Sequence, residues 1–591
     1  MLGDLKRLRK FSKWSHFWPL VVVVAFGLLA SKGLFGEGYF NMHDDLQMMR
    51  QLEMEKCFLD GQIPCRWVPD MGYGFGYPLF NYYPPLPYLF GQGIRLAGFS
   101  FTETAKTLFI FSLLASGVTM YFLAKEFFGR FGGIVAAVFY VWAPYHAVDV
   151  YVRGAMNEAW ALIWFPAIFW SVYRLIKNKT KRSTKDILSW RGLHDELHDD
   201  RFWIVALALF WFALFTSHNL MVLVLVPFFA LWTLVWLVNT REWKKVPSIA
   251  ISGLWSFGMA AFFTLPVLFE RDLVQTDTLV AGYYEFTAHF ASISQLFISR
   301  FWGYGPSVWG VVDDGMSFQI GWFHWGVPLL VASIFALRVL LKRKFDGRSI
   351  ATFFMFLIAW FAVFMAHNKS TPLWQLIDQL KFVQFPWRFL TIVIFGFSFV
   401  AGGLAVSLPK LLGRVLAVFA VLAVLVYSFG YFVPEGGRLG PLTDEEKFTG
   451  AAWELQQTAG IFDYLPVTAN TAPKAPQVAI TEVLEGGGVV RDTQQGTDWA
   501  RFRINVEESA VVRLGIFDFP NWKVFVNGKE VETFIPEDEE WGRMYISLRG
   551  GDHDVRAELH DTPPRIAGNL LSLASFIGLA GVVVPASLKK R

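Results

Sequence analysis

Just beyond the first apolar stretch stands the run His43-Asp44-Asp45. A carboxylate at a partly desolvated edge has a raised pKa and can take a proton from a hydroxyl, which makes Asp44 or Asp45 a candidate general base. Adjacent helical residues point about 100° apart, so only one need face a cleft. Two other readings stand beside this one. Asp suits the start of a helix over residues 46–59. A carboxylate pair can also ligate a metal, although no further ligands cluster nearby. Arg66 and Asp70 follow, ahead of the run Met71-Gly72-Tyr73-Gly74-Phe75-Gly76-Tyr77-Pro78, which has the make-up of an active-site loop.

Further along, cations recur beside apolar segments. In Arg153-Gly154-Ala155-Met156-Asn157-Glu158, the guanidinium either binds a phosphate in bidentate fashion or pairs with Glu158 at a membrane edge. Thr216-Ser217-His218-Asn219 interrupts an apolar stretch: His218 and Asn219 contact a phosphate or sugar, or form a satisfied polar turn. Arg388, in Gln384-Phe385-Pro386-Trp387-Arg388, binds phosphate or snorkels to the interface. Val312-Asp313-Asp314-Gly315 and Gln319 either line the same cavity or make a solvated turn. Cys57 and Cys65 are the only cysteines; they pair in an oxidising compartment or stay free thiols. No cysteine cluster suits a metal, and the nucleotide-loop, HExxH and dinucleotide-glycine patterns are absent. No cofactor is expected, and a divalent metal is left open rather than predicted.

The elements that must position these residues are mostly membrane helices. Of 591 residues, 54% are hydrophobic and 17% charged, which excludes an ordinary soluble composition. The net charge of +4 is scattered in short basic clusters between apolar runs, unlike a nucleic-acid-binding face. Apolar spans are predicted near 17–36, 104–124, 131–148, 158–176, 202–218, 220–239, 247–268, 323–341, 350–366, 389–407, 411–432 and 565–585. The basic segment 1–13 and the first span read as a retained anchor rather than a signal peptide. Basic clusters at 125–130, 177–191, 241–245, 342–348, 410–414 and Lys589-Lys590-Arg591 belong in the cytoplasm under the positive-inside rule. Residues 86–99 are apolar but short, and are interrupted by Gly91, Gly93 and Arg95. Reading them as an interfacial helix on the outer face keeps the charge rule throughout. The expectation is therefore twelve spans with both termini cytoplasmic.

Residues 434–562 change character. Alternating runs at 499–506, 510–517, 522–526, 531–535, 543–548 and 552–559, with Asn527-Gly528 as a type I′ hairpin signal, predict an extracytoplasmic β-sandwich. The expected division is a transmembrane domain over 1–433, with its first outer loop at 37–103, then the β-rich domain over 434–562 and a last span with a basic cytoplasmic end over 563–591.

Taken in order, these stretches resemble one family. An Asp-Asp opening the first outer loop after span one, followed by many spans, is similar to the GT-C class of integral-membrane glycosyltransferases. Gly61-Gln62-Ile63-Pro64 with Arg66-Trp67, then 72–88, 151–158, Ser217-His218-Asn219 and 384–390, resemble bacterial YfhO-like membrane proteins. The tail run from Phe519 to Lys529 resembles their β-domain. A related family bears the label "6-pyruvoyl-tetrahydropterin synthase-related", but the three-histidine zinc site of that soluble enzyme has no counterpart here. The resemblance implies an inverting transferase of the cell membrane. It would take a sugar from a polyprenyl-phosphate donor to an extracytoplasmic glycan, lipid or protein acceptor. Asp44 or Asp45 would be the base, and Arg66, Arg153 and Arg388, with Glu158, His218 and Asn219, would form the lipid-phosphate site. A lipid or polysaccharide transporter or flippase, and a non-catalytic envelope-assembly protein, are the alternatives.

Overall fold

The computed structural model describes residues 17–178, 190–308 and 314–588, without side chains for 190–199 and 582–588. Segment 1–13, most of 177–191, Val312, Asp313 and the terminal basic triplet lie outside the described residues. Among the described residues, nine helices are long and apolar enough to cross a membrane. They are Phe101–Val141, Met156–Lys177, Asp200–Ser217, Asn219–Thr240, Trp243–Phe269, Trp322–Lys342, Gly347–Ala366, Pro386–Ser407 and Lys410–Tyr431. The expected spans 104–124 and 131–148 belong to one helical run broken at Gly129 (φ 70°, ψ −175°). That run ends at Val141, short of the expected 148. Phe17–Ala30 is a shorter apolar helix, and a helix also covers Pro563–Leu588.

Contacts divide the chain into two compact units. The first comprises Met1–Asp45, Lys106–Ser256 and Tyr283–Pro441. Pro386–Ser407 is its central helix: 94% of its most apolar stretch is buried, against 28% for that of Trp322–Lys342. A helix apolar all round belongs in the middle of a bundle. Phe395 on it meets Phe169 at 5.0 Å between ring centroids. Gly402 lies against Gly132, and a Cβ on either would sit 2.6 Å from the other's carbonyl oxygen. Small residues of this kind let membrane helices approach closely. After Val141 the chain makes a short helix, Pro144–Ala147, and a π-helical turn, Val148–Val152.

The second unit comprises Leu46–Ala105, Phe257–Gly282 and Leu442–Arg591. Residues 46–105, expected with the membrane domain, therefore belong to the same compact unit as the strands. Its five strands, β1 (Thr481–Gln495), β2 (Trp499–Phe517), β3 (Trp522–Val526), β4 (Lys529–Val531) and β5 (Arg543–Leu559), form one antiparallel sheet in the order β1-β2-β5-β3-β4. This corrects the expected sandwich. Along β2, buried Ala500, Phe502, Ile504 and Val506 alternate with the more exposed Arg501, Arg503 and Asn505, so one face alone is apolar. Among the described residues, the core on that face is completed by Trp67, Tyr73 and Phe75 and by Ile461 and Leu465, not by a second sheet. Runs expected as separate strands, 499–506 with 510–517 and 543–548 with 552–559, are joined through a register shift between Val506 and Ser509. The hairpin reading is met: Val526 pairs with Lys529 around Asn527 (φ 48°) and Gly528 (φ 79°).

In the same unit, helix Gln47–Asp60 begins after Leu46 with no side-chain cap, so aspartate capping at its N-cap position is not observed. It ends at Gly61 (φ 85°). Cys57 and Cys65 are disulfide-bonded, with Cα atoms 5.4 Å apart. The short apolar segment forms helix Leu86–Leu96, burying Leu86, Tyr88 and Gln92 while Leu89, Phe90 and Leu96 stay exposed.

Candidate active site

The first unit gathers four of the expected residues. Arg153, in the turn after the π-helical segment, directs Nη1 at both carboxylates around it. It bonds Asp149 Oδ1 and, at 2.8 Å, Glu158 Oε2. The Tyr145 hydroxyl donates to Glu158 Oε1 at 2.7 Å. Arg388 brings Nε within 3.3 Å of Glu158 Oε2 and donates from Nη1 to the Val383 carbonyl (2.8 Å) and Gln384 Oε1 (2.9 Å). Rings flank both cations: the Arg153 guanidinium lies 4.6 Å from the Trp387 centroid and that of Arg388 lies 4.9 Å from Phe385. His218 is buried within electrostatic reach of Arg388, Glu158 and Arg153, and its Nδ1 has no hydrogen-bond partner. Asn219 instead accepts from the Leu220 amide through Oδ1, which ties it to its own helix start.

The acidic turn is laid against this cluster by the backbone. The His43 amide donates to the Val152 carbonyl (3.1 Å) and the Asp44 amide to the Arg153 carbonyl (2.9 Å). His43 Nε2 is 2.9 Å from the Tyr304 carbonyl. The approach depends on Gly154 (φ +60°), where a Cβ would stand 2.1 Å from Met42 Sδ. Asp44 and Asp45 are both half-buried.

Electrostatics distinguishes the two acidic partners of Arg153. Burial first, and Glu158 next, push the Asp149 carboxyl well above the usual range, against the pull of Arg153. Burial opposes the charge on Arg153, but Glu158, Tyr145 and Asp149 hold it above its ordinary value. Among the described residues, no group of three or more His, Cys, Asp or Glu side chains is placed to hold a metal ion.

Arg66 falls elsewhere, in the second unit. Its Nη1 donates to Asn81 Oδ1 (3.2 Å) and the Phe262 carbonyl (3.1 Å), its Nη2 to Asn569 Oδ1 (2.8 Å), and its Nε faces Asp561 at 3.3 Å. Beside it, Glu270 accepts from Asn81 and from Arg565 Nε (2.9 Å). These partners make Arg66 a tie between the segment that carries it and the start of helix Pro563–Leu588. Asp70 pairs with Lys56 in the same unit, and Asp314 accepts from Gln295 (2.8 Å) and the Val308 amide (2.9 Å). The sequence reading missed Asp149 and Tyr145. Asp149 carried one signal, its place four residues before Arg153; Tyr145 carried none.

No protein-family model matches the chain, so the YfhO-like and pterin-synthase-related names find no support there. An uncharacterized protein of Lactococcus lactis subsp. cremoris is 22% identical over 272 residues, covering 44% of this chain and 41% of that protein. Among solved structures, the arabinofuranosyltransferase AftD from Mycobacteria aligns with a TM-score of 0.41 at 14% identity, over 71% of this chain and 27% of that one. The oligosaccharyltransferase AglB from Archaeoglobus fulgidus, solved with an inhibitory peptide and a dolichol-phosphate, aligns with a TM-score of 0.40 at 14% identity, over 79% and 62%. The chain thus spans less than two thirds of each of these proteins. TM-scores this low decide neither fold nor activity.

Proposed function

We propose that the protein is a GT-C-type glycosyltransferase of the plasma membrane that transfers a sugar, with inversion, from a polyprenyl-phosphate donor to an extracytoplasmic acceptor. The observation that carries this reading is the hydrogen bond from the Asp44 amide to the Arg153 carbonyl, which sets an acidic turn on the segment that bears the buried Arg153. In the reaction, Asp44 or Asp45 takes the acceptor hydroxyl proton. The acceptor oxygen bonds the anomeric carbon as that carbon's bond to the phosphate oxygen breaks, and the electron pair leaves with the lipid phosphate. A phosphate leaving group needs its growing charge held more than it needs a proton. Arg153 and Arg388 would supply that charge, with His218 beside them. Asn219 would act by holding the turn, and Arg66 by holding the first outer loop.

The topology of this reading has twelve crossings, both termini in the cytoplasm and the sheet outside. Support comes from the nine long apolar helices, the break at Gly129 within one of them, and the additional helices Phe17–Ala30 and Pro563–Leu588. The exposed apolar stripe of Leu86–Leu96 and the disulfide fit an interfacial, oxidising outer face. Purified protein in nanodiscs, given a panel of polyprenyl-phosphate sugars, should release polyprenyl phosphate and form a product of inverted anomeric configuration by NMR. A retained configuration, or no turnover with any donor, would remove the proposal.

A further inference from the structure

We propose that Asp149 is the carboxylic acid of the cluster: it holds a proton on Oδ2, leaving Arg153, Arg388, Asp149 and Glu158 with one net positive charge that admits a phosphate anion. This rests on the phosphate-site reading above and assigns that site its charge.

The geometry treats the two carboxylates unequally. Glu158 has Arg153 and Tyr145 on its two oxygens and Arg388 alongside. Asp149 has Arg153 on Oδ1 alone; Oδ2 is buried and has no hydrogen-bond partner. Both carboxylates thus share a single guanidinium nitrogen, and both are buried. Two ionised carboxylates so placed repel each other, and a buried unpaired oxygen cannot carry charge cheaply. The titration then belongs to the pair, and the less well-bonded member takes the proton. The charged and titratable groups around the pair are unequally shared between its members. Glu158 is met by Arg153, Arg388 and the Tyr145 hydroxyl, whereas for Asp149 burial and Glu158 itself outweigh the pull of Arg153 and Arg388. Tyr140, buried nearby, brings no cation.

The charge count gives a signed consequence. Two guanidiniums and two carboxylates sum to zero when all are ionised; one proton on Asp149 makes the sum +1. A phosphate is therefore drawn in while Asp149 is protonated. Affinity falls as the pH rises through its ionisation, because a neutral cluster must then accept an anion.

Binding of a polyprenyl phosphate in nanodiscs, and separately of inorganic phosphate, would be titrated across pH for wild type, Asp149→Asn and Asp149→Glu. Wild-type affinity should fall by about tenfold per pH unit once Asp149 ionises. Asp149→Asn should lack that alkaline loss, and Asp149→Glu should restore it. Competition by inorganic phosphate would show that the headgroup suffices; failure to compete would assign the same charge to a lipid-borne phosphate. The inference is overturned if a folded Asp149→Asn protein follows the wild-type pH profile, or loses binding at every pH. Should that variant not fold, infrared difference spectra of the wild type can replace it. Ligand must then perturb a protonated carboxyl; perturbation of ionised carboxylates only would overturn the assignment. Failure of the wild type to bind either phosphate at any pH would instead remove the phosphate-site reading, and the inference with it.

Discussion

Arg153 is the residue on which the cluster turns, because it bonds two buried carboxylates at once and stacks on Trp387. Removing one partner of a buried ion pair leaves the other charge unmatched, which costs about 3–5 kcal/mol. Arg153→Ala is therefore expected to lower the unfolding free energy by that order, read from a denaturant melt. A variant as stable as wild type would mean that Asp149 and Glu158 are both neutral or rebonded. Arg153, Glu158, His218 and Arg388 were legible in sequence because each polar group interrupts or borders an apolar run. Asp149 was not, since Asp149-Val150-Tyr151-Val152 reads as one more polar residue near a helix end. Arg66 was assigned to phosphate because sequence does not reveal which acceptors a guanidinium meets, and here one is Asn569, 503 residues away.

Among the elements, the sheet and the segment 67–75 share one core. Trp67 is 2% exposed and its ring lies 5.4 Å from Phe519 and 5.6 Å from Trp522. Truncating a buried aromatic of this size costs about 3–5 kcal/mol. Trp67→Ala should render the strands protease-sensitive at temperatures where wild type resists, although Trp67 lies more than four hundred residues before them in sequence. Unchanged protection would mean that the sheet is stable without the loop. The alternation along β2 and the Asn527-Gly528 turn were visible in sequence because strand period and turn chemistry are local. The covering of the sheet's apolar face by Trp67, Tyr73 and Phe75 was not, because what covers such a face is decided by residues far along the chain. Gly486-Gly487-Gly488 and Gly550-Gly551 lie within β1 and β5, where the pairing register shifts or its partner bulges.

For the whole molecule, the proposed topology puts Asn527, exposed at its hairpin, outside and Arg343, exposed between two long helices, inside. Single cysteines at these positions can be tested with an impermeant thiol reagent, since Cys57 and Cys65 are already paired. Asn527→Cys should react in intact cells, and Arg343→Cys only after permeabilisation. The opposite pattern would invert the orientation and take the acidic turn away from an outer-face acceptor. The central claim is sugar transfer with Asp44 or Asp45 as base, and its most direct test is the single-turnover rate of transfer from a polyprenyl-phosphate sugar by wild type, Asp44→Asn, Asp45→Asn and the double variant. One single variant and the double should lose about 10²–10⁴-fold, the usual contribution of a general base, with melting temperatures unchanged. Full-rate transfer by the folded double variant would contradict the account.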